Sequence, residues 1–458
     1  MRRFRERESG GFSTTRIIVF GFFMAIVLGA ALLMLPFATA EGEHTTPVDA
    51  LFTATTSVCV TGLVTVPTFS HWTLFGQIII ALLAQVGGLG VITFTTIFLI
   101  VLRKKIGLKE RLLIQAAYNL DTIQGLVILI KKIIKGTLVV EGVGALLYMT
   151  VFVPDYGAIG IWKSIFNAVS AFCNAGMDVL GESSLQQYAA NPVVNFTTMF
   201  LIILGGIGFP VWWNVIEVIR YDRSEYTCLR DSVHHLKLHS KVVLAVTGCL
   251  IAGGAFIILL LEYNNEATLG AMPFWQKLQA ALFQSVTTRT AGFFTISQSG
   301  LRTPTAFICC LLMFIGGSPS GTAGGIKTTT FAILIMTVIS IIRGRNDTEM
   351  FERKVNGDVV RRALSIFMVS LIVMLVSVIT LAAVQPAPFI DCFFEAVSAI
   401  ATVGLSRDLT PFLTTAGKIV IIITMYIGRI GPISLALFFN SKRFINLKTY
   451  KEENVSVG

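Results

Sequence analysis

Four segments of this chain resemble one another at intervals of more than a hundred residues. They read VDALFTATTSVCVTGL (48–63), WKSIFNAVSAFCNAGM (162–177), LQAALFQSVTTRTAGF (278–293) and DCFFEAVSAIATVGL (391–405). Each is an apolar stretch that runs into a glycine, and those glycines, Gly62, Gly176, Gly292 and Gly404, are separated by 114, 116 and 112 residues. Ten positions before them stand Phe52, Phe166, Leu282 and Phe394. Stretches of about 11–14 apolar residues are too short to cross a bilayer and too apolar to lie in water, which suits re-entrant helices. A single glycine in such a place is commonly a helix cap or a helix contact. Four at matched spacing, after matched apolar stretches, are one unit used four times, with a period far beyond that of solenoid repeats.

Longer apolar runs flank each unit. Membrane spans are expected at roughly 16–36, 74–102, 128–153, 194–219, 240–262, 304–342, 363–384 and 415–440, the sixth of them interrupted. Each is long enough to cross about 30 Å of hydrocarbon. Composition agrees: 54% of the 458 residues are hydrophobic and only 14% charged, with a mean hydropathy of +0.76. A soluble domain carries about 25% charged residues, so a row of soluble domains is excluded. The stretches 1–16, 103–111, 131–135, 220–241, 343–362 and 442–451 hold 28 of the 36 Lys and Arg residues. An eight-span arrangement places all of them on one side, and the positive-inside rule makes that side, with both termini, cytoplasmic. The apolar run after the Arg-rich start exceeds a signal-peptide core and reads as an uncleaved first helix.

The expected fold is therefore all-α and integral to the membrane: eight spans as four span, pore-helix, filter, span repeats with pseudo-fourfold symmetry around a central pore. The repeats fall at 16–111, 112–222, 223–345 and 346–441, between a cytoplasmic N-terminus (1–15) and a C-terminal tail (442–458). Non-helical backbone at membrane depth must be buried or line water. A glycine there adopts dihedrals that other residues resist and leaves no Cβ in the way. Four such strands, Val60-Thr61-Gly62, Asn174-Ala175-Gly176, Thr290-Ala291-Gly292 and Thr402-Val403-Gly404, can offer rings of main-chain carbonyls that replace the hydration shell of a monovalent cation. The short helices aim their negative ends at the same centre. Neutral carbonyls favour an ion that dehydrates readily, K⁺ over Ca²⁺ or Mg²⁺, which call for carboxylates.

The four glycine turns, the length and the span layout resemble the Trk/Ktr/HKT superfamily of potassium transporters, and within it the KtrB-type membrane subunit of the bacterial Ktr uptake system. The resemblance runs from about Arg16 to Asn440 and is carried by GQIIIALLAQVGGLGVITF (76–94), LGGIGF (204–209), TTRTAGF (287–293) and YIGRIGPISLALF (426–438). It implies K⁺ as the transported ion and, through glycine rather than serine at position 62, a preference for K⁺. It also implies a homodimer in the bacterial cell membrane, a cytoplasmic RCK-type ring (KtrA-like) that binds ATP or ADP, and a Na⁺ dependence of transport. The strands depart from the TVGYG of simple potassium channels, which implies looser selectivity.

The sixth span breaks into Gly316-Gly317-Ser318-Pro319-Ser320-Gly321-Thr322-Ala323-Gly324-Gly325-Ile326-Lys327 and resumes at Phe331. Five glycines and a proline cannot continue a helix. Such a segment at mid-membrane lines a cavity, and the third repeat places it below the filter, where it serves as a gate; the plainer reading is a kink packed against neighbours. The resemblance implies an intramembrane gating loop here. Arg429 lies inside the last span, and an intramembrane arginine faces water or a partner by default. It is expected in the inner cavity, bonded to loop carbonyls, unless it snorkels to the cytoplasmic interface. Lys327 stands either at the lower edge of the loop or against lipid. Arg289, just before the third strand, has Cys59, Cys173 and Ala401 as counterparts; it is expected to brace the filter against Glu395 or Asp391.

The remaining features exclude more than they add. A net charge of +10 lies in mixed loops with no nucleic-acid motif. The seven cysteines are scattered, without CxxC spacing, and read as buried small residues. HHLKLH, with His234, His235 and His239, has no cysteine or paired acid to complete a metal site. The 316–329 loop lacks Walker spacing, and no nucleophile with a base and no HExxH appears. No cofactor is expected, and the chain is not expected to be an enzyme. Asn119, Asp121 and the basic 103–111 segment form an inner loop suited to docking a soluble partner. The competing transport reading, alternating access, calls for inverted repeats and midplane carboxylates, whereas these repeats run parallel.

Overall fold

The computed structural model describes residues 14–90, 93, 94, 96, 100, 107, 126–181, 183–225, 235–345 and 347–431. The N-terminal segment, the inner loop with Asn119 and Asp121, His234 and the C-terminal tail lie outside the described residues.

Helices follow one another in four similar successions. The first contains α1 (Thr14–Leu33), α2 (Pro47–Cys59), the single turn α3 (Thr68–His71) and α4 (Leu74–Leu89). The second contains α5 (Leu126–Tyr156), α6 (Ile159–Cys173), α7 (Pro192–Gly206) and α8 (Phe209–Glu225). The third contains α9 (Leu238–Glu262), α10 (Phe274–Thr287), α11 (Thr303–Phe314) and α12 (Thr328–Ile342). The fourth contains α13 (Gly357–Val384), α14 (Phe389–Ala401) and α15 (Thr415–Ile430). Between the third and fourth, a two-residue antiparallel hairpin pairs Glu349 with Lys354 and Met350 with Arg353.

Burial separates two kinds of helix. The long helices α1, α5, α9 and α13 are apolar enough to cross a membrane, yet only 33, 33, 33 and 28% of their most apolar windows is buried. Phe20, Leu146, Leu260 and Ile379 on them are more than 60% exposed. In water such faces would aggregate; against lipid tails they are at home. The short helices α2, α6, α10 and α14 form the core, and almost every residue along their inner halves is buried. The chain is thus an all-α membrane protein whose interior is built from α2, α6, α10 and α14 rather than from its long helices.

Local sequence sets where the elements start. Thr46 caps α2 by accepting from the Asp49 amide at 3.1 Å, with Pro47 in the first turn. Thr73 and Thr414 cap α4 and α15 in the same way, accepting from the amides of Gly76 and Gly417. These caps satisfy amides that the first helical turn leaves without partners. Each short helix packs against the long helix before it. Contacts also pass between successions: α4 packs on α6, α7 on α10, α11 on α14, and α15 returns to α2. At the last of these junctions Lys418 meets Asp49 at 2.6 Å, with both side chains largely buried.

Two expectations about these helices need correction. The span expected at 194–219 is not one helix, because α7 and α8 are bent by 98° about Gly208. In the third short helix the buried aromatic is Phe283, while Leu282 is only half-buried. The shared pattern is Phe-x-x-x-Ser/Thr, namely Phe52/Thr56, Phe166/Ser170, Phe283/Thr287 and Phe394/Ser398. The third copy reaches its glycine one residue sooner than the others.

Candidate functional site

Three of the short helices are capped by a residue forced into the left-handed region, and in the third repeat such a residue follows three positions after the helix. Val60, Asn174, Thr290 and Thr402 have φ of 52, 57, 68 and 51°, and the glycines two positions on, Gly62, Gly176, Gly292 and Gly404, have φ of 96, 66, 83 and 93°. Positive φ thus recurs two positions apart in every segment, and non-glycine residues hold such dihedrals only where surroundings impose them. The hydroxyls of the Phe-x-x-x-Ser/Thr pattern help to impose them. Thr56 Oγ1 accepts from the Gly62 amide at 2.9 Å and Ser398 Oγ from the Gly404 amide at 3.0 Å. Ser170 and Thr287 instead donate at 2.5 Å to the carbonyls of Met177 and Phe293. The amides of Thr61, Ala175 and Val403 turn back onto the carbonyls of Thr56, Ser170 and Ser398 at 2.8 Å, and that of Ala291 onto Thr287 at 3.0 Å.

The four segments meet. A Cβ on Gly62 would stand 2.7 Å from the carbonyl oxygen of Ala175, one on Gly176 2.6 Å from that of Ala291, and one on Gly292 2.7 Å from that of Val403. A Cβ on Gly404 would collide with the carbonyl oxygen of Thr61, which closes the circle. All four glycines are needed because the next segment occupies the space of a side chain. Among the described residues, none of the carbonyls of residues 60–62, 174–176, 290–292 and 402–404 accepts a hydrogen bond, although all these residues are buried. Buried carbonyls are nearly always paired, so this concentration of acceptors marks the site.

On the side of the helix C-termini lies the interrupted sixth span. Ile315 and Ile326 pair as a parallel bridge that pins the two ends of the loop together. The loop is stitched to the break between α7 and α8: the amides of Ser318 and Thr322 donate to the carbonyls of Gly206 (2.9 Å) and Gly205 (3.0 Å), and Ser320 accepts from the Phe209 amide. Thr322 Oγ1 donates to the carbonyl of Phe172 at the end of α6, at 3.1 Å. Gly324 leaves no room for a side chain beside Thr402. Pro319 and Gly321 line the same junction at Gly208, and Gly325 turns the chain with φ of 66°. Ser318 and Thr328 share a hydroxyl contact at 2.9 Å.

Three cations hold loop carbonyls. Arg429 donates to Thr322 at 2.6 Å and to Gly87 of α4 at 2.5 Å. Lys327 caps the loop from its own end, donating to Ala323 at 2.8 Å and Gly324 at 3.5 Å. Arg289 does not reach Glu395 or Asp391; it donates to Gly316 at 3.3 Å and to Thr247 of α9 at 3.5 Å. Asp391 is taken by Arg407 at 2.7 Å, while Glu395 accepts from Ser406 and Thr410.

One element went unread in the sequence. The helices that follow segments 1, 2 and 4 each stop at a glycine with φ near 90°: Gly90 at 86°, Gly208 at 89° and Gly431 at 90°. They close the tetrads GGLG (87–90), GGIG (205–208) and GRIG (428–431), whose first glycines abut the carbonyls of Val58, Phe172 and Ile400. The G-x-x-G spacing, repeated at matching places after each segment, is the signal. Arg429 occupies the second place of the fourth tetrad, where the first two have Gly88 and Gly206.

Residues 11–446 match the TrkH family, described as cation transport protein. The chain belongs to that family. It is 40% identical to the Ktr system potassium uptake protein B of Bacillus subtilis, over 98% of this chain and 97% of that protein. Its identity to the potassium/sodium uptake protein NtpJ of Enterococcus hirae is 39%, over 99% of both chains. The fold matches the crystal structure of the potassium transporter TrkH from Vibrio parahaemolyticus, with a TM-score of 0.74 and 16% identity, over 95% of this chain and 86% of that one. Family membership makes the chain a cation transporter and not an enzyme.

Proposed function

We propose that this protein takes up K⁺ across the bacterial cell membrane through a pore on the axis of four pseudo-symmetric repeats, eight spans in all. The observation that carries the reading is the set of buried, unpaired carbonyls on 60–62, 174–176, 290–292 and 402–404. A dehydrated monovalent cation between them receives oxygens in place of its water. The glycine contacts that run from segment to segment and close on the first support a single ring of this kind. The names of the relatives, potassium uptake protein B and potassium/sodium uptake protein, agree with the choice of ion.

Transport is then governed below the ring. The 316–327 loop obstructs the inner path, and Arg429 both holds the loop and sets a positive charge against approaching cations. Gating requires that the loop leave Gly205, Gly206 and Phe172, hydrogen bonds worth about 1 kcal/mol each. That is within reach of a regulatory partner, for which a cytoplasmic nucleotide-binding ring on a homodimer is the natural arrangement; Na⁺ dependence would enter as activation of that assembly.

Deletion of residues 317–326 bypasses the partner. Purified protein in K⁺-loaded liposomes should then show higher K⁺ flux than the intact chain at an unchanged K⁺ to Na⁺ ratio. Unchanged flux removes the gate, and flux without alkali-cation preference removes the pore.

A further inference from the structure

Among the described residues Arg289, just before the third segment, is the one buried arginine. Arg289 is 7% exposed, yet no carboxylate pairs with it among the described residues. Its two acceptors are main-chain carbonyls at 3.3 and 3.5 Å, whereas charge-assisted bonds of a guanidinium normally close to about 2.7–2.9 Å. A small cavity beside it is lined by Ile203, Gly206, Thr247, Val286 and Gly317, and Thr247 Oγ1 has no partner. The guanidinium therefore has donors to spare. A buried cation so thinly compensated is costly, which argues for a role other than stability.

Its connections are specific. On one side it touches Gly316, where α11 gives way to the loop. On the other, its main chain immediately precedes Thr290, and Asn174 Nδ2 donates to the Arg289 carbonyl at 3.5 Å and to Thr290 Oγ1 at 3.3 Å. In the first, second and fourth repeats a tetrad glycine abuts the carbonyl of Val58, Phe172 or Ile400. In the third repeat Gly316 instead lies against Gly324 and Gly325 of the loop, and its carbonyl accepts from Arg289.

We infer that Arg289 is a positioning residue that latches the N-terminal hinge of the 316–327 loop to the third carbonyl-bearing segment, holding the loop in its obstructing place. The inference rests on the gate reading and deepens it. Its carbonyl contacts, at 3.3 and 3.5 Å, are long enough to break when the loop moves. The latch acts at the hinge, whereas Arg429 acts on the middle of the loop and Lys327 on its far end.

The test uses full-length protein in liposomes with K⁺ and Na⁺ gradients, for Arg289→Met in the intact chain and in the 317–326 deletion. In the intact chain K⁺ flux should rise about tenfold, the worth of one hydrogen bond to a charged group, with the K⁺ to Na⁺ ratio unchanged. In the deletion the same substitution should change flux less than twofold. An equal rise in both backgrounds would show that the charge acts on ions in the pore and overturns the latch; so would a lost K⁺ to Na⁺ ratio, which marks a deformed segment. If Arg289→Met does not fold, Arg289→Lys decides: a lysine keeps the charge but cannot span both carbonyls, so about a threefold rise is expected, and wild-type flux refutes the latch. Failure of the deletion itself to raise flux overturns the gate and the latch together, whereas a high-flux deletion with additive Arg289→Met overturns the latch alone.

Discussion

Gly62→Ser puts the ring under the most direct strain. Gly62 has a φ of +96°, and a Cβ there would lie 2.7 Å from the Ala175 carbonyl oxygen and 3.0 Å from Gly176 Cα. Ordinary contact begins at 3.4 Å, so the neighbouring segment must retreat by some 0.7 Å, because both opposing atoms are backbone. The left-handed dihedral adds about 1–3 kcal/mol for a residue with a side chain. If that strain is relieved by loosening the K⁺-bound geometry, affinity for K⁺ falls roughly 5- to 150-fold. A ring that has moved by this much no longer fits one dehydrated ion in preference to a smaller one. Calorimetric K⁺ titration of the purified protein, together with liposome flux for K⁺, Rb⁺, Na⁺ and Li⁺, should show weaker K⁺ binding and a K⁺ to Na⁺ ratio relaxed toward unity. A variant that folds, conducts and retains wild-type selectivity would refute the carbonyl ring, since the same clash stands at Gly176 and Gly292.

Two further substitutions separate gating from assembly. Arg429→Ala removes the bonds to Thr322 and Gly87, and at about 1.5–3 kcal/mol for each charge-assisted bond should raise K⁺ flux at least tenfold with selectivity intact; reduced flux in folded protein would contradict its place in the gate. Asp49→Asn leaves Lys418 largely buried without its partner, and should cost about 2 kcal/mol, seen as a lower unfolding temperature in detergent. Lys418→Met in the same chain should recover part of that loss, and no recovery would show that the Asp49 carboxylate acts through the bond it accepts from Thr46 Oγ1 at 2.7 Å.

The four glycine segments were legible because repetition turns a weak signal into a strong one. The long helices were legible because uninterrupted apolar runs have few other uses. The breaks at Gly90, Gly208 and Gly431 were not, since glycines inside an apolar run look like small residues at helix contacts, and mean hydropathy passes across them unchanged. The one-residue shortening of the third copy was hidden because Leu282 fills the expected place as plausibly as Phe283; only packing shows that the phenylalanine faces inward. Arg289 has other partners than the two acids expected of it. Its carbonyl acceptors, Gly316 and Thr247, carry no side-chain signature, whereas the two acids that seemed to suit it are committed to Arg407, Ser406 and Thr410.

The central claim is that the unpaired carbonyls of the four segments hold a dehydrated monovalent cation. Crystals of the protein soaked in Rb⁺, a K⁺ substitute with a usable absorption edge, test it most directly through anomalous difference maps. Peaks are expected on the axis between residues 60–62, 174–176, 290–292 and 402–404, and they should vanish when Rb⁺ is exchanged for a bulky organic cation. An ordered ring with no anomalous peak, or Rb⁺ bound only elsewhere, would contradict it.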